Sequence, residues 1–322
     1  MAIDHPERPV WTQRFRDFRD QYHREGDQRG ILVSIEIAIA LSRRMLASAA
    51  SEHERGIALA QLQESLAVQG ARDGQPTRLN EAVRAGRDAV ALLKRSGTAL
   101  EVAHALNELG NALHSLGMRE RDPGLLKEAV EAHRAARRKT SRVQNPAEWA
   151  AIQNCLGNAL CGLGELTADP ALLELSIAAY RGALRERKQA KAPDEWAKVQ
   201  SNLGNTYFSL AQQGRGVEWL RLSVRALKKT ASIRNSVQDP LGWAGTQINL
   251  ANALDLWGRR ENSAERLQEA VRTYDGALGK LTPDSVSQWR EVVVASRERT
   301  RQHLRDIEQA SRCEPSEQRA SR

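Results

Sequence analysis

Three stretches of the chain write one pattern at a fixed interval: WAAIQNCLGNALCGLG starts at residue 149, WAKVQSNLGNTYFSLA at 196 and WAGTQINLANALDLWG at 243, 47 residues apart each time. A unit that short buries its apolar side only against its neighbours, so a sustained register constrains the fold more than any composition does. The register holds in columns outside these stretches. Leu62, Leu109, Leu156, Leu203 and Leu250 align, as do Leu79, Leu126, Leu173, Leu220 and Leu267, and Val83, Val130, Ile177, Val224 and Val271. Small residues recur at Ala82, Ala129, Ser176, Ser223 and Ala270, and again at Ala89, Ala136, Ala183, Thr230 and Ala277. These columns define five copies.

Each copy reads as two helices, because its punctuation repeats too. Asn145-Pro146, Ala192-Pro193 and Asp239-Pro240 precede the first helix, and Asp122-Pro123 and Asp169-Pro170 precede the second. Proline suits the first helical position and Asn or Asp suits the cap before it. Asn145 with Glu148 has the spacing of a capping box. Trp149, Ile152, Leu156, Leu160 and Leu163 fall on one side of the first helix and predict a buried stripe. Neighbouring copies must stack to cover such stripes, each well-buried Leu contributing roughly 1.5 to 3 kcal/mol.

The residues outside the five copies are helical in pattern as well. Trp11, Phe15, Phe18 and Tyr22 recur at helical spacing, and 31 to 49 predict a second helix. Val33, Ile35, Ile37 and Ile39 alternate like a strand, but Leu32 stands 47 residues before Leu79, which favours a worn sixth copy. The expected organisation is N-terminal helices over 1–54, as a degenerate repeat or cap, then repeats at 55–101, 102–148, 149–195, 196–242 and 243–289. A capping helix follows at 290–310 and a disordered tail at 311–322.

Leu156-Gly157, then Leu160, then Ser176, Tyr180 and Ala183 resemble the tetratricopeptide repeat (TPR), whose signature is L-G-x-x-Y followed by A-x3-F-x2-A. The resemblance covers residues 55 to 289. It departs in length, 47 residues against 34, with a Trp heading the first helix and the closing proline displaced to the next copy. The first copy, with Gln63-Glu64 for Gly-Asn, and the fourth, with Ala211 for Gly, are the most degraded. The resemblance implies an all-α, TPR-like α-solenoid, a right-handed superhelix of helical hairpins with about five repeats plus flanking helices. Gly110, Gly157 and Gly204 would let paired helices approach closely, opposite small residues of the second helix.

Asn111, Asn158, Asn205 and Asn252 occupy one column of the first helix, and Asn158 lies about 200° from Leu156 around the axis, away from the packed stripe. The resemblance places this column in a concave groove, where Asn is similar to residues that bind a peptide ligand's backbone or terminal carboxylate. An amide suits that role because it offers donor and acceptor together. Bonds between adjacent repeats are the other reading. A carboxylate clamp would want neighbouring cations, and only Lys198 stands on this face. His104, Asn107, Asn111 and His114 form a polar stripe of the second copy, with Asn154 one repeat beyond Asn107. As metal ligands the two histidines are too far apart, about 15 Å along the axis. The stripe reads instead as groove lining.

The chain carries +8 net, and the second helices of the first four copies are each net positive. Arg87, Arg134, Arg181 and Lys228 form a basic ladder there, read either as a stripe for nucleic acid or an acidic protein, or as solvated cations near helix C-termini. No aromatic residues interleave with it as stacking platforms. No P-loop, nucleophile elbow, zinc-protease motif or dinucleotide fingerprint is present, and a repeat array spreads its polar residues instead of converging them, so no enzyme is expected. The most apolar run, Ile31 to Leu41, is too short for a bilayer, which needs roughly 20 residues. Three cysteines give no disulfide or metal framework, and the start lacks the order of a secretory signal, so a reducing cytoplasm is expected. The expected function is a scaffold or adaptor that holds a protein or peptide segment in its groove. Nucleic acid or an acidic partner on the outer helices is the alternative. No cofactor, metal, membrane or small-molecule substrate is indicated.

Overall fold

The computed structural model describes residues 8–29, 31–188, 191–214, 216–234, 239–281 and 287–313, and the described residues are all-α. Thirteen helices follow one another among them: α1 (Arg8–Arg29), α2 (Leu32–Ser48), α3 (Glu52–Asp73), α4 (Pro76–Ser96), α5 (Ala99–Glu120), α6 (Pro123–Lys139) and α7 (Pro146–Leu166) come first. They are succeeded by α8 (Pro170–Glu186), α9 (Pro193–Gln212), α10 (Val217–Ala231), α11 (Pro240–Glu261), α12 (Ala264–Leu278) and α13 (Ser287–Cys313). The chain divides into two compact units, residues 1–175 and 176–322, with the division inside α8. In the first unit α1/α2, α3/α4 and α5/α6 pack as hairpins and α7 joins the stack against α6 and α5. In the second, α9/α10 and α11/α12 are hairpins and α13 lies on α12 and α11.

Side-chain caps set several of the helix starts. Thr98 and Glu101 form a full capping box, Ser51 accepts from the Glu54 amide, Asp122 from Gly124 and Leu125, and Asp239 from Gly242. The expected Asn145–Glu148 box does not form: Asn145 makes no side-chain cap bond, and Pro146 alone begins α7. The turn between paired helices repeats in four places as well. Gly74, Arg121, Ala168 and Asn262, spaced by multiples of 47, all adopt left-handed backbone with φ of 73°, 53°, 53° and 49°. Gly and Asn tolerate this region; Arg121 and Ala168 hold it at a cost of roughly 1–2 kcal/mol each.

All members of the two aligned leucine columns are buried, and the second-helix small residues are fully so. Their contacts explain the spacing. A methyl group built at Gly70, Gly117, Gly164 or Gly258 would stand 3.0, 3.0, 3.0 or 2.8 Å from the side chain of Leu79, Leu126, Leu173 or Leu267. The leucine thus seats directly on first-helix backbone at the closed end of the hairpin. Midway along, a methyl built at Gly110 would stand 2.5 Å from the His133 ring, and one at Gly204 would stand 2.8 Å from Leu227 and 3.4 Å from Ala226, so these two glycines admit a large residue as well as a small one. The first copy reverses this pair. Gln63 stands where the other first helices have Gly or Ala, and its amide carbon would meet a methyl at Gly86 at 2.5 Å, in the position held elsewhere by His133, Tyr180, Leu227 and Tyr274. The first copy is therefore complementary and not degraded.

Three further expectations shift. Trp149 is only half-buried, with the Arg142 guanidinium 5.0 Å from its ring centre. Leu32 is 51% exposed, although α1 and α2 do pair; Ile35, Ala38, Ile39 and Ser42 carry the packing instead. Of the tail expected to be disordered, residues 311–313 continue α13 and 314–322 lie outside the described residues, as do the side chains of Trp11 and Phe15.

Three variants have expected outcomes in urea unfolding. Gly110→Ala lowers stability by about 1–3 kcal/mol, because buried His133 has no room to retreat, whereas Gly245→Ala, with nothing near the added methyl, is neutral or gains up to ~1 kcal/mol. Ala168→Gly gains about 1 kcal/mol by relieving the left-handed turn. Equal effects of the two Gly→Ala changes would contradict the close approach.

Candidate functional site

In each unit the first helices touch one another, α3 with α5, α5 with α7 and α9 with α11, whereas successive second helices are joined by long side chains, as in Arg43–Glu81 at 2.8 Å. The first-helix layer is where the predicted polar columns stand. In the first unit His104 is exposed and Asn111, His114, Asn154 and Asn158 are half-buried. Asn107 is not groove lining: it is 5% exposed, and its carbonyl oxygen accepts from His133 Nδ1 at 3.1 Å. That bond fixes the proton on Nδ1, and burial, then the charge of His114, push the His133 pKa down to about 3. The Asn107 amide donates in turn to Glu108 Oε1 and the Asn111 amide to Glu108 Oε2, both at 3.1 Å. Burial and the neighbouring Glu64 carboxylate raise the Glu108 pKa. His114 sits against Gly162 of α7, and burial lowers its pKa.

Beside this network a cleft of about 330 Å³ opens between α1, α3 and α5, with His104 on its rim. Glu64 stands there in the first copy's place for the Asn column. Arg19, only 3% exposed, donates to Glu64 Oε2 and the Gln61 carbonyl at 2.6 Å and to Ser65 Oγ at 3.0 Å. His23 adds contacts to Glu64 Oε1 at 3.3 Å and Ser65 Oγ at 3.1 Å. Burial alone would raise the Glu64 pKa; the His23 hydrogen bond and the Arg19 charge outweigh it and hold the carboxylate ionised. The cleft's charges are thus satisfied mostly by one another.

The second unit holds the other half of the column. The Asn205 side chain is half-buried and makes no hydrogen bond among the described residues. Lys198 is exposed and pairs with Glu195 at 3.3 Å, which also receives Arg187. Asn252 accepts from the Tyr274 hydroxyl at 2.5 Å and lines a cleft of about 470 Å³ with Arg259, Arg260, Arg299 and Asp255. Burial, then Asp255, raise the Tyr274 pKa, so the phenol keeps its proton. Cations do accompany the Asn column, then, but they come from the end of α11 and from α13, which is outside the repeat register and gave no column to follow.

The basic ladder is engaged on the second helices. Arg87 pairs with Glu128 of α6 and Lys228 with Glu269 of α12, both at 2.7 Å, Arg134 pairs with Glu131 at 2.8 Å, and Arg181 donates to the Tyr207 hydroxyl at 3.1 Å. These pairs are largely exposed, so each adds little stability. Among the described residues no group of His, Cys, Asp or Glu is placed to hold a metal ion, and no helix is long and apolar enough to cross a membrane.

No protein-family model and no curated protein matches the chain. Among solved structures, BtubC (BKLC) from P. vanneervenii is similar with a TM-score of 0.51 and 18% identity, covering 78% of this chain and 92% of that one. The TPR2AB-domain:pHSP90 complex of yeast Sti1 matches with a TM-score of 0.28 and 14% identity over 89% of this chain and 98% of that one. A circular tandem repeat protein matches at 0.36 and 17%, over 92% and 75%. At these identities the likeness is one of fold, a helical repeat, and it rests on the first of the three.

A histidine held neutral in the fold costs stability as the unfolded chain takes up its proton. Stability therefore falls as the pH drops below 6.5, the ordinary value, by up to ~1.4 kcal/mol per pH unit for His133 until about 3. His114 adds to the same limb. Urea midpoints between pH 7 and 5 are expected to slope downward for the wild type and less so for His133→Asn; an unchanged slope would contradict the buried neutral imidazole.

Proposed function

We propose that the chain is a protein-interaction scaffold of the tetratricopeptide type, binding an extended polypeptide segment on the first-helix face. The observation that carries this reading is the Asn column: while the leucines beside it are buried, Asn111, Asn158, Asn205 and Asn252 keep part of their surface open in four successive copies. Asn205 adds an amide with donor and acceptor both unspent, the chemistry that a passing peptide bond requires. The helical-repeat fold and the L-G-N pattern support it. Each such bond is worth roughly 0.5–1.5 kcal/mol net, so affinity accumulates over many contacts, and a value near micromolar, about −8 kcal/mol, is expected.

The reading involves no catalysis: Glu64 and Asp255, a carboxylate of each cleft, are tied into ion pairs. It places the protein in a reducing, cytoplasmic setting; neither Cys155 nor Cys161 is in a disulfide. On the second helices, pairing with carboxylates and a phenol favours neither nucleic acid nor an acidic protein.

Affinity capture from native lysate, read by mass spectrometry, tests the proposal. Asn205→Ala is expected to lose proteins that the wild type retains while its urea stability stays within about 0.5 kcal/mol. If capture is unchanged, or if the variant loses several kcal/mol, the column is structural and the proposal fails.

A further inference from the structure

Helix α2 keeps the register of the second helices but differs from them on its outward side. Its buried Ile35, Ala38, Ile39 and Ser42 fall on the columns of buried Ala82, Ala85, Gly86 and Ala89. Asn80, Lys127, Glu174, Arg221 and Gln268 share one exposed column of the five copies, and the residue 47 before Asn80 is Val33, 64% exposed. The exposed column of Arg84, Glu131, Ala178, Arg225 and Arg272 runs back to half-buried Ile37. The charged column of Arg87, Arg134, Arg181, Lys228 and Asp275 runs back to exposed Ala40. Where the other second helices turn polar groups outward, α2 therefore turns a valine, an isoleucine and an alanine. The terminal unit of a repeat array needs a polar outer face, because nothing of its own chain covers it. An apolar one marks an interaction surface.

The order of residues along that side indicates what covers it. Val33, Ile37, Ala40, Arg44 and Ala47 follow at steps of four, three, four and three, within about 80° around the axis, which is the spacing of a seam between two helices. The helix carries three charged residues, Glu36, Arg43 and Arg44. Arg43 is engaged by Glu81 at 2.8 Å. Glu36 accepts from the Gln69 amide at 3.3 Å, and neither it nor Arg44 has an oppositely charged partner among the described residues. Glu36 and Arg44 stand four residues to either side of Ala40, about 12 Å apart along the axis and too distant to pair within one helix. A second α2 laid antiparallel across the first, with the two-fold axis at Ala40, brings Glu36 of each copy level with Arg44 of the other and Val33 level with Ala47. The small Ala40 side chains meet at the axis and permit close approach, and Ile37 lies against the aliphatic stem of the other copy's Arg44. A parallel arrangement sets Glu36 against Glu36 and Arg44 against Arg44, so the charges select the antiparallel one.

We propose that the outward face of α2 is a self-association surface, on which a second copy of this chain docks its own α2 antiparallel about a two-fold axis at Ala40. The contact is isologous, so it closes at a dimer. It uses the N-terminal flanking hairpin, outside the five copies, and is independent of the scaffold reading. Sedimentation velocity of the full chain at rising concentration tests it, with a dimer expected for the wild type. Ala40→Arg, which gives α2 the residue that Arg87 already presents on α4, is expected to be monomeric with an unchanged urea midpoint. Glu36→Lys and Arg44→Glu each weaken the dimer by about tenfold or more, because each sets two like-charged pairs across the axis. The double variant, with the charges exchanged, recovers most of that loss. Lys127→Glu, in the column of Val33 but on α6, leaves association unchanged. A wild type that stays monomeric up to about 100 μM leaves the face to some other chain and overturns the proposal. A dimer that survives Ala40→Arg, or a double variant as weak as the single ones, overturns it too.

Discussion

The structure depends on one steric match, a first-helix backbone left bare so that a large second-helix side chain can lie directly on it. Leu79, Leu126, Leu173 and Leu267 rest on Gly70, Gly117, Gly164 and Gly258, and His133 and Leu227 rest on Gly110 and Gly204. Close approach of the two helices brings the Ala and Ser columns into full burial and leaves the opposite side of the first helix uncommitted. The reversed pair Gln63 and Gly86 shows that what is required is complementarity of volume, whichever helix supplies it. Since each hairpin covers its stripe only with the next, stability within each unit is shared between neighbours.

Polar groups enter where a copy has no identical neighbour to pack on. At the start of the first unit, Arg19 and His23 of α1 neutralise Glu64, so an acidic side chain takes the column that elsewhere holds Asn. At the end of the second unit, Thr300 of α13 bonds Asp255 of α11, while Val293 is buried with Ala251 and Tyr274. The flanking helices thus act as caps that also furnish charge to the first-helix face. In the interior, the chain from His133 through Asn107 and Glu108 to Asn111 links the core of one hairpin to its exposed side.

What repeats in the sequence was legible, because a repeated residue signals a repeated contact. The leucine and small-residue columns, the hairpin spacing and the Asp122 and Asp239 caps could all be read from their 47-residue steps. What happens once could not. His133 stands where other copies have Gly, Tyr or Leu, so no column pointed to its bond with Asn107 or to the burial of that side chain. Arg19 reaches across 42 to 46 residues to Gln61 and Ser65 from a helix that lacks the aligned leucine. Arg299 and Thr300 come from α13, and only three-dimensional placement brings them to Asn252 and Asp255.

The central claim is that the first-helix side, and not the second, is where another polypeptide lies. Site-specific photocrosslinking in native lysate measures this most directly, with a photoreactive amino acid placed in turn at positions 111 and 205 on the first helices and 87 and 134 on the second. Crosslinked polypeptide adducts at 111 and 205, with none at 87 and 134, are the predicted result. Adducts confined to 87 and 134 would contradict the account.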